Sequence, residues 1–204
     1  MPDPSTIYLG GITCSGKTTV AGLLAQRHGF VHYKTDDTFD PHARAADREH
    51  QPTMWTYQNN DETWTRWFRQ QGVARAAILH RFYAERFPMI LSDLTAIEGP
   101  VVADGVDLLP EKVLEITDAR HAAWLIPSRD FVNQHYTERE WADHPPTSDE
   151  WKYYQYFIRN IQKQAKARDL KVIHVDGSVP PREIVAELAE HFNLIPTTPT
   201  EVPR

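Results

Sequence analysis

The sequence predicts an α/β fold in which short buried strands alternate with helices, and three observations carry that expectation. The stretch Gly11-Ile12-Thr13-Cys14-Ser15-Gly16-Lys17-Thr18 fits G-x-x-x-x-G-K-[ST], with the apolar run Ile7-Tyr8-Leu9 before it and a helix-compatible run from Thr19 to Leu24 after it. Residues 30–33, 100–105, 121–126 and 171–175 read as further strands, each separated from the next by helical spacing. The chain of 204 residues suits one large domain, or one domain with a substantial insertion. A chain of that size buries roughly 70% of its unfolded surface and needs no staples.

The glycine-rich stretch has the composition a polyphosphate site requires. Backbone N–H groups must approach the phosphates closely, so Gly11 and Gly16 stand where a side chain would obstruct or where φ must be positive. A helix beginning near Lys17 points its unpaired amides and positive end at the same phosphates. Lys17 can reach the β- and γ-phosphates as a point charge, and the Thr18 hydroxyl can complete a Mg²⁺ shell of waters and phosphate oxygens. Gly11 to Thr19 is therefore the candidate nucleotide-binding stretch. Cys14, the single cysteine, cannot form an intrachain disulfide; it reads as a small loop filler or a thiol sensitised by the helix terminus.

The first helix runs from Lys17 to about Arg27, with Val20, Leu23 and Leu24 on one face, and the strand at 30–33 follows. Its carboxyl end leads into Asp36 and Asp37, and ligands of open α/β sheets sit beyond such ends. This pair is either a solvated acidic turn or the base of a phosphotransferase. Residues 41–99 change composition and read as a helical insertion, with Trp64, Trp67, Phe68 and Gln71 at helical spacing. An Ala-rich helix from Val73 to Arg86 is expected there, then another opened by Pro88. The aromatics of the insertion read as core or as a stacking surface for a flat or apolar substrate. Arg44 and Arg48 either grip an anionic group on the acceptor or lie on a solvated face.

Asp104, ending the strand at 100–105, reads as a second anchor for hydrated Mg²⁺ or as a turn-forming Asp-Gly. A short helix from Leu108 to about Ile116 comes next, then the strand stopped by Pro127. Residues 128–150 are polar and broken by Pro145-Pro146, which reads as a mobile cover, and Trp151 to Arg168 as a long helix. Arg139 and Arg159 are the candidate charge-neutralising arginines, with Arg129, Lys163 and Lys166 read as surface. Asp176-Gly177-Ser178 could line an adenine pocket, a last helix runs to about Phe192, and residues 194–204 read as a flexible tail.

Twenty-two basic against 28 acidic residues give a net charge of −6, with the basic residues dispersed, so no footprint for nucleic acid is present. A small substrate is expected. No apolar run approaches the ~20 residues needed to cross a bilayer, and Met1-Pro2-Asp3-Pro4 does not resemble a signal peptide. The expectation is a cytoplasmic protein without a membrane partner; the sequence leaves its oligomeric state open.

The glycine-rich loop, Asp36-Asp37, the helical insertion, Asp104 and the Arg139/Arg159 region together resemble the P-loop kinases of the nucleoside-monophosphate kinase type. That broad group includes shikimate kinase, gluconate kinase, chloramphenicol phosphotransferase and uridine kinase. The resemblance covers roughly residues 5 to 192 in layout, but only Gly11 to Thr18 is specific by sequence. It implies a three-layer fold with a parallel five-stranded sheet in the order 2-3-1-4-5, helices on both sides, an acceptor-binding insertion at 41–99 and a lid at 128–150. It further implies transfer of the ATP γ-phosphoryl group, with Mg²⁺ held by Thr18 and Asp104. Lys17 would stabilise the charge, and Asp36 or Asp37 would orient an acceptor hydroxyl. Alternative readings are a nucleotide kinase, with Arg44 and Arg48 holding the acceptor phosphate, and a nucleotide-binding regulator that hydrolyses slowly or not at all.

Overall fold

Alternation of side chains along the strands builds two cores, one on each face of a single sheet. The computed structural model describes residues 1–139 and 142–194. The elements in chain order are β1 (Ile7–Gly11), α1 (Lys17–His28), β2 (Val31–Lys34), α2 (Phe39–Ala45), α3 (Pro52–Asn59), α4 (Asp61–Phe68), α5 (Gly72–Ala96), β3 (Val101–Gly105), α6 (Pro110–Val113), β4 (Ala122–Pro127), α7 (Arg129–Tyr136), α8 (Ser148–Arg168), β5 (Lys171–Val175) and α9 (Pro181–His191). The five strands are parallel in the order β2-β3-β1-β4-β5. This is the three-layer arrangement expected.

Ile7, Leu9, Val102, Leu125 and Ile173 point to one face and pack against α1 and α9 through Val20, Leu24 and Leu188. Their neighbours Tyr8, Ala103, Trp124 and Ile126 point to the other, against Ile90 and Leu94 of α5 and Ile161 of α8. Trp124 is fully buried against the bare backbone of Gly10, where a Cβ would collide with the indole. Its Nε1 donates to the Leu108 carbonyl at 2.9 Å. A third cluster, from Ile12, Met54, Phe82, Tyr154 and Phe157, sits over the carboxyl ends of the strands. The register pairs Leu9 with Asp104 and Asp104 with Lys34, so β1, β3 and β2 end together beneath that cluster.

The helical insertion is present as α2 to α5, with one correction. The two helices expected on either side of Pro88 are one helix, Gly72–Ala96, with Pro88 inside it. An interior proline costs about 3 kcal/mol or more. Both halves are anchored independently, Phe82 and Tyr83 in the cluster over the sheet and Ile90 and Leu94 against its face, and this packing holds the axis continuous. The insertion's aromatics pack on one another: Tyr57 and Trp64 lie 4.8 Å apart between centroids, and Phe39 stacks on Phe82 at 5.4 Å.

Residues 128–150 contain a helix that the sequence reading missed, α7, capped by the Ser128 hydroxyl accepting from Phe131 N at 3.1 Å. The following helix starts at Ser148, three residues earlier than expected, and the short helix after Leu109 ends at Val113 instead of Ile116. Leu194 packs on the α1/α9 core, and the rest of the expected tail, 195–204, lies outside the described residues. Among the described residues no helix is long and apolar enough to cross a membrane.

The start of α8 is fixed by a reciprocal cap in which Thr147 Oγ1 accepts from Glu150 N at 3.2 Å and Glu150 Oε2 accepts from Thr147 N at 2.8 Å. Thr147→Ala is expected to lower the unfolding free energy by about 1 kcal/mol in urea titration. An unchanged midpoint would show that packing against α5 alone sets the helix start.

Candidate active site

The phosphate-binding loop connects β1 to α1 with its strain concentrated at named positions. Gly11 and Gly16 take φ of 145° and 77°, and Cys14 takes a left-handed φ of 60° while its Sγ lies 3.8 Å from the His135 carbonyl. Gly16 caps α1 without a side-chain hydrogen bond, and the first turn of α1 carries no acidic residue. Its leading amides therefore have neither an intrahelical partner nor a side-chain acceptor. Within the loop, the Ser15 hydroxyl is buried with no hydrogen-bond partner among the described residues.

Lys17 is 6% exposed. Among the described residues it forms no ion pair, and its Nζ makes only a 3.4 Å contact to the Ile12 carbonyl. Burial holds its ammonium below the usual lysine range, an effect that Asp104 and then Asp36 oppose and Arg139 reinforces. A buried cation, an orphaned hydroxyl and the leading amides of α1 form a donor set that, among the described residues, has no side-chain acceptor. That set fits a polyphosphate.

Asp104, 3% exposed at the end of β3, holds two neighbours. Its Oδ1 accepts from Thr18 Oγ1 at 2.9 Å, and its Oδ2 lies 2.6 Å from His32 Nε2 on β2. The two residues singled out for Mg²⁺ are thus in direct contact. One carboxylate and one hydroxyl suit an ion that keeps most of its waters.

Asp36 and Asp37 both lie exposed in a 3-10 turn, Thr35–Thr38, at the carboxyl end of β2. Gly105 allows the turn to settle on β3, since a Cβ there would collide with Thr35 Oγ1. The charge of Asp36 acts on Lys17, Asp107 and Tyr83 together. The turn and the loop thus follow the carboxyl ends of β2 and β1 on the same side of the sheet.

On the other side of the loop an open cleft of about 700 Å³ is lined by Ser15, Thr19, Phe131, His135, Arg139 and Gly177 among others. That volume lies in the range of small-molecule sites. A second cavity between the loop and α8 measures about 20 Å³, room for a single water.

No family model matches the sequence, and no curated protein matches it. Solved structures do. Shikimate kinase from Aquifex aeolicus aligns over 92% of this chain and 96% of its own, at 20% identity and a TM-score of 0.55. A gluconokinase from Sinorhizobium meliloti aligns over 95% and 94%, at 16% identity and 0.50. Deoxyadenosine kinase from M. mycoides aligns over 93% and 100%, at 14% identity and 0.50. The chain has the fold of the P-loop small-molecule kinases.

Within this P-loop kinase fold the remaining candidates separate. Arg139 borders the open cleft and acts on Lys17. Arg159 is exposed on α8 and lines neither cavity. Arg44 is exposed at the end of α2, and the Arg48 guanidinium lies over Trp55 at 5.4 Å, in a surface groove lined by no phosphate-loop residue.

Sequence reading missed a buried polar network behind the Asp36 turn. Arg86 on α5 is 0% exposed and donates to Asp107, to the Thr35 carbonyl, to Thr38 Oγ1 at 3.1 Å and to His42 Nδ1 at 3.2 Å. Asp107 is 1% exposed; burial raises its carboxyl, and Arg86 opposes the rise. His42 accepts at Nδ1 and lies 2.9 Å from Asp93 through Nε2, which fixes the neutral tautomer bearing its proton on Nε2. Burial, then Arg86, push its basicity down. The sequence signal was weak: Glu85-Arg86-Phe87 inside an amphipathic helix, with the arginine on the apolar face.

Arg86→Met is expected to destabilise the protein by about 3–5 kcal/mol by leaving Asp107 buried and unpaired, with the double variant Arg86→Met/Asp107→Leu recovering most of the loss. Denaturant titration of both variants checks this. A single variant as stable as the wild type would remove the network from its structural role.

Proposed function

We propose that the protein is an ATP-dependent, Mg²⁺-requiring phosphotransferase that moves the γ-phosphoryl group to a hydroxyl of a small acceptor. The observation that supports this reading is the buried Lys17 and the orphaned Ser15 hydroxyl of the phosphate loop beside an open cleft, with the Asp36 turn following β2 at the same end of the sheet. In this reading the amides of Gly11 to Thr19 and the buried Lys17 bind the phosphate chain. The cleft between Phe131, His135 and Gly177 takes the nucleoside, with rings available for a flat base.

Thr18 and, through water, Asp104 would hold Mg²⁺, which when bound neutralises charge on the β- and γ-oxygens. His32 keeps Asp104 aimed by occupying its second oxygen. Asp36 accepts a hydrogen bond from the acceptor hydroxyl, orients it in line with the γ-phosphorus and takes its proton as transfer proceeds. Asp37, beside it in the same turn, is the second choice. Arg139, at the edge of the cleft, is the arginine best placed to meet charge developing on the transferred group; Arg159, Arg44 and Arg48 stand further from the loop's chemistry.

Lys17→Ala is expected to abolish phosphotransfer in an ATP-consumption assay. Asp36→Asn is expected to lower kcat by about 10²–10⁴ while calorimetry finds the affinity for Mg·ATP within a few-fold of wild type. Turnover by Asp36→Asn close to wild type would remove the base role and with it the hydroxyl acceptor.

A further inference from the structure

We propose that the surface groove between α3, α4 and α5 of the helical insertion is a second ligand site, built for a flat aromatic ring that carries a phosphate. It is separate from the phosphotransfer site and does not depend on that reading.

The groove measures about 480 Å³, a volume in the range of small-molecule sites. Trp55 on α3, Trp67 on α4, and Arg81 and Glu85 one turn apart on α5 all line it, and Arg48 enters from the segment after α2. None of the lining residues belongs to the phosphate loop or to the Asp36 turn. A ligand held here therefore leaves the loop free for a nucleotide.

The cations of the groove are unmatched. Among the described residues arginine ion pairs are made by Arg86 and Arg120, and neither Arg48 nor Arg81 has one. Glu85 stands one turn from Arg81, but its oxygens are engaged by α3: Oε2 accepts from the Thr53 and Met54 amides at 2.8 and 3.2 Å, and Oε1 from Thr53 Oγ1 at 2.7 Å. Its charge thus serves the first turn of that helix. Asp47, next to Arg48 in sequence, accepts from the Glu49 and His50 amides instead. Asp61 and Glu62, which open α4, line a neighbouring depression with Arg66 and Arg69. Two guanidiniums without a counter-ion suit one dianion, and their forked N–H donors match phosphate oxygens.

The indoles of the groove are unmatched as well. Phe39 stacks on Phe82 and Tyr57 meets Trp64, whereas Trp55 and Trp67 are half-buried, belong to none of the three core clusters and, among the described residues, meet no other ring. Large flat side chains that the core does not use offer their faces to a ligand ring. The Arg48 guanidinium lies over Trp55, 5.4 Å from its centroid. Such stacking uses the face of the guanidinium and leaves its N–H edge to an anion. A ring joined to a phosphate satisfies both sets of groups at once, its ring against indole and its oxygens between Arg48 and Arg81.

The test is calorimetric titration of the full chain, its loop saturated with Mg²⁺ and a non-hydrolysable ATP analogue, with naphthyl phosphate, naphthol and inorganic phosphate. Naphthyl phosphate is expected to bind saturably, with a Kd at least about tenfold below that of either other probe. Arg48→Met and Arg81→Met are each expected to weaken it about tenfold or more, and Trp55→Leu and Trp67→Leu about threefold or more. All four side chains lie outside the core clusters, so urea midpoints near that of the wild type are expected to show that the variants fold.

Naphthyl phosphate that binds no better than naphthol or phosphate, that binds only when the analogue is left out, or that binds both arginine variants as it binds the wild type overturns the inference. Binding of a polyglutamate peptide that Arg48→Met and Arg81→Met abolish, by a chain that does not take up naphthyl phosphate, assigns the groove to an acidic protein segment and overturns it too. Each of these results leaves the phosphotransfer reading standing.

Discussion

A lysine ammonium buried without a counter-ion is the constraint around which this molecule is arranged. Lys17 is enclosed by its own loop, lies in the fields of Asp104 and Asp36, and makes an ion pair with neither. Removing a charge from water without a partner is expensive, and the start of α1 adds to the expense with leading amides and a buried Ser15 hydroxyl that have no partner among the described residues. A triphosphate would relieve all of these groups at once.

The rest of the fold can be read as the support of that unsatisfied site. Parallel pairing of β1 with β3, and of β3 with β2, delivers the loop, Asp104 and the Asp36 turn to the carboxyl ends of the strands, on one side of the sheet. Thr18 and His32 hold the two oxygens of Asp104, tying α1 and β2 to the strand between them. Behind the turn, Arg86 fastens α5 to Asp107 and to the backbone of Thr35, so that helix also holds the turn that carries Asp36. Charge is divided accordingly: the open cleft is bordered by Arg139, while behind the Asp36 turn the buried Arg86 is matched by Asp107.

The parts legible in the sequence are those whose physics is local. A loop that must wrap a phosphate needs glycine, lysine and threonine at fixed spacing, and a strand buried on both faces needs an unbroken apolar run, so Gly11 to Thr18, Asp104 and the strands were all in view. The Arg86 network was not, because its partners lie 21, 44 and 51 residues away and only the folded chain brings them together. Pro88 misled for a related reason: local stereochemistry says stop, and tertiary anchoring of both flanks overrules it. The α7 helix escaped notice because its eight residues bury only Val132 and Tyr136, too few to show a period against a polar background. Between Asp36 and Asp37 the sequence leaned to Asp36, and the two lie exposed side by side in the turn after β2.

The most direct test of the central claim follows the Lys17 side chain itself, by ¹⁵N-detected titration of its Nζ in the free protein and with a saturating non-hydrolysable ATP analogue and Mg²⁺. If the loop is a triphosphate site, the titration midpoint of Lys17 lies below that of an ordinary lysine in the free protein and moves upward when the analogue binds, because the phosphates supply the missing counter-charge. A midpoint that does not move on addition of the analogue would contradict the account.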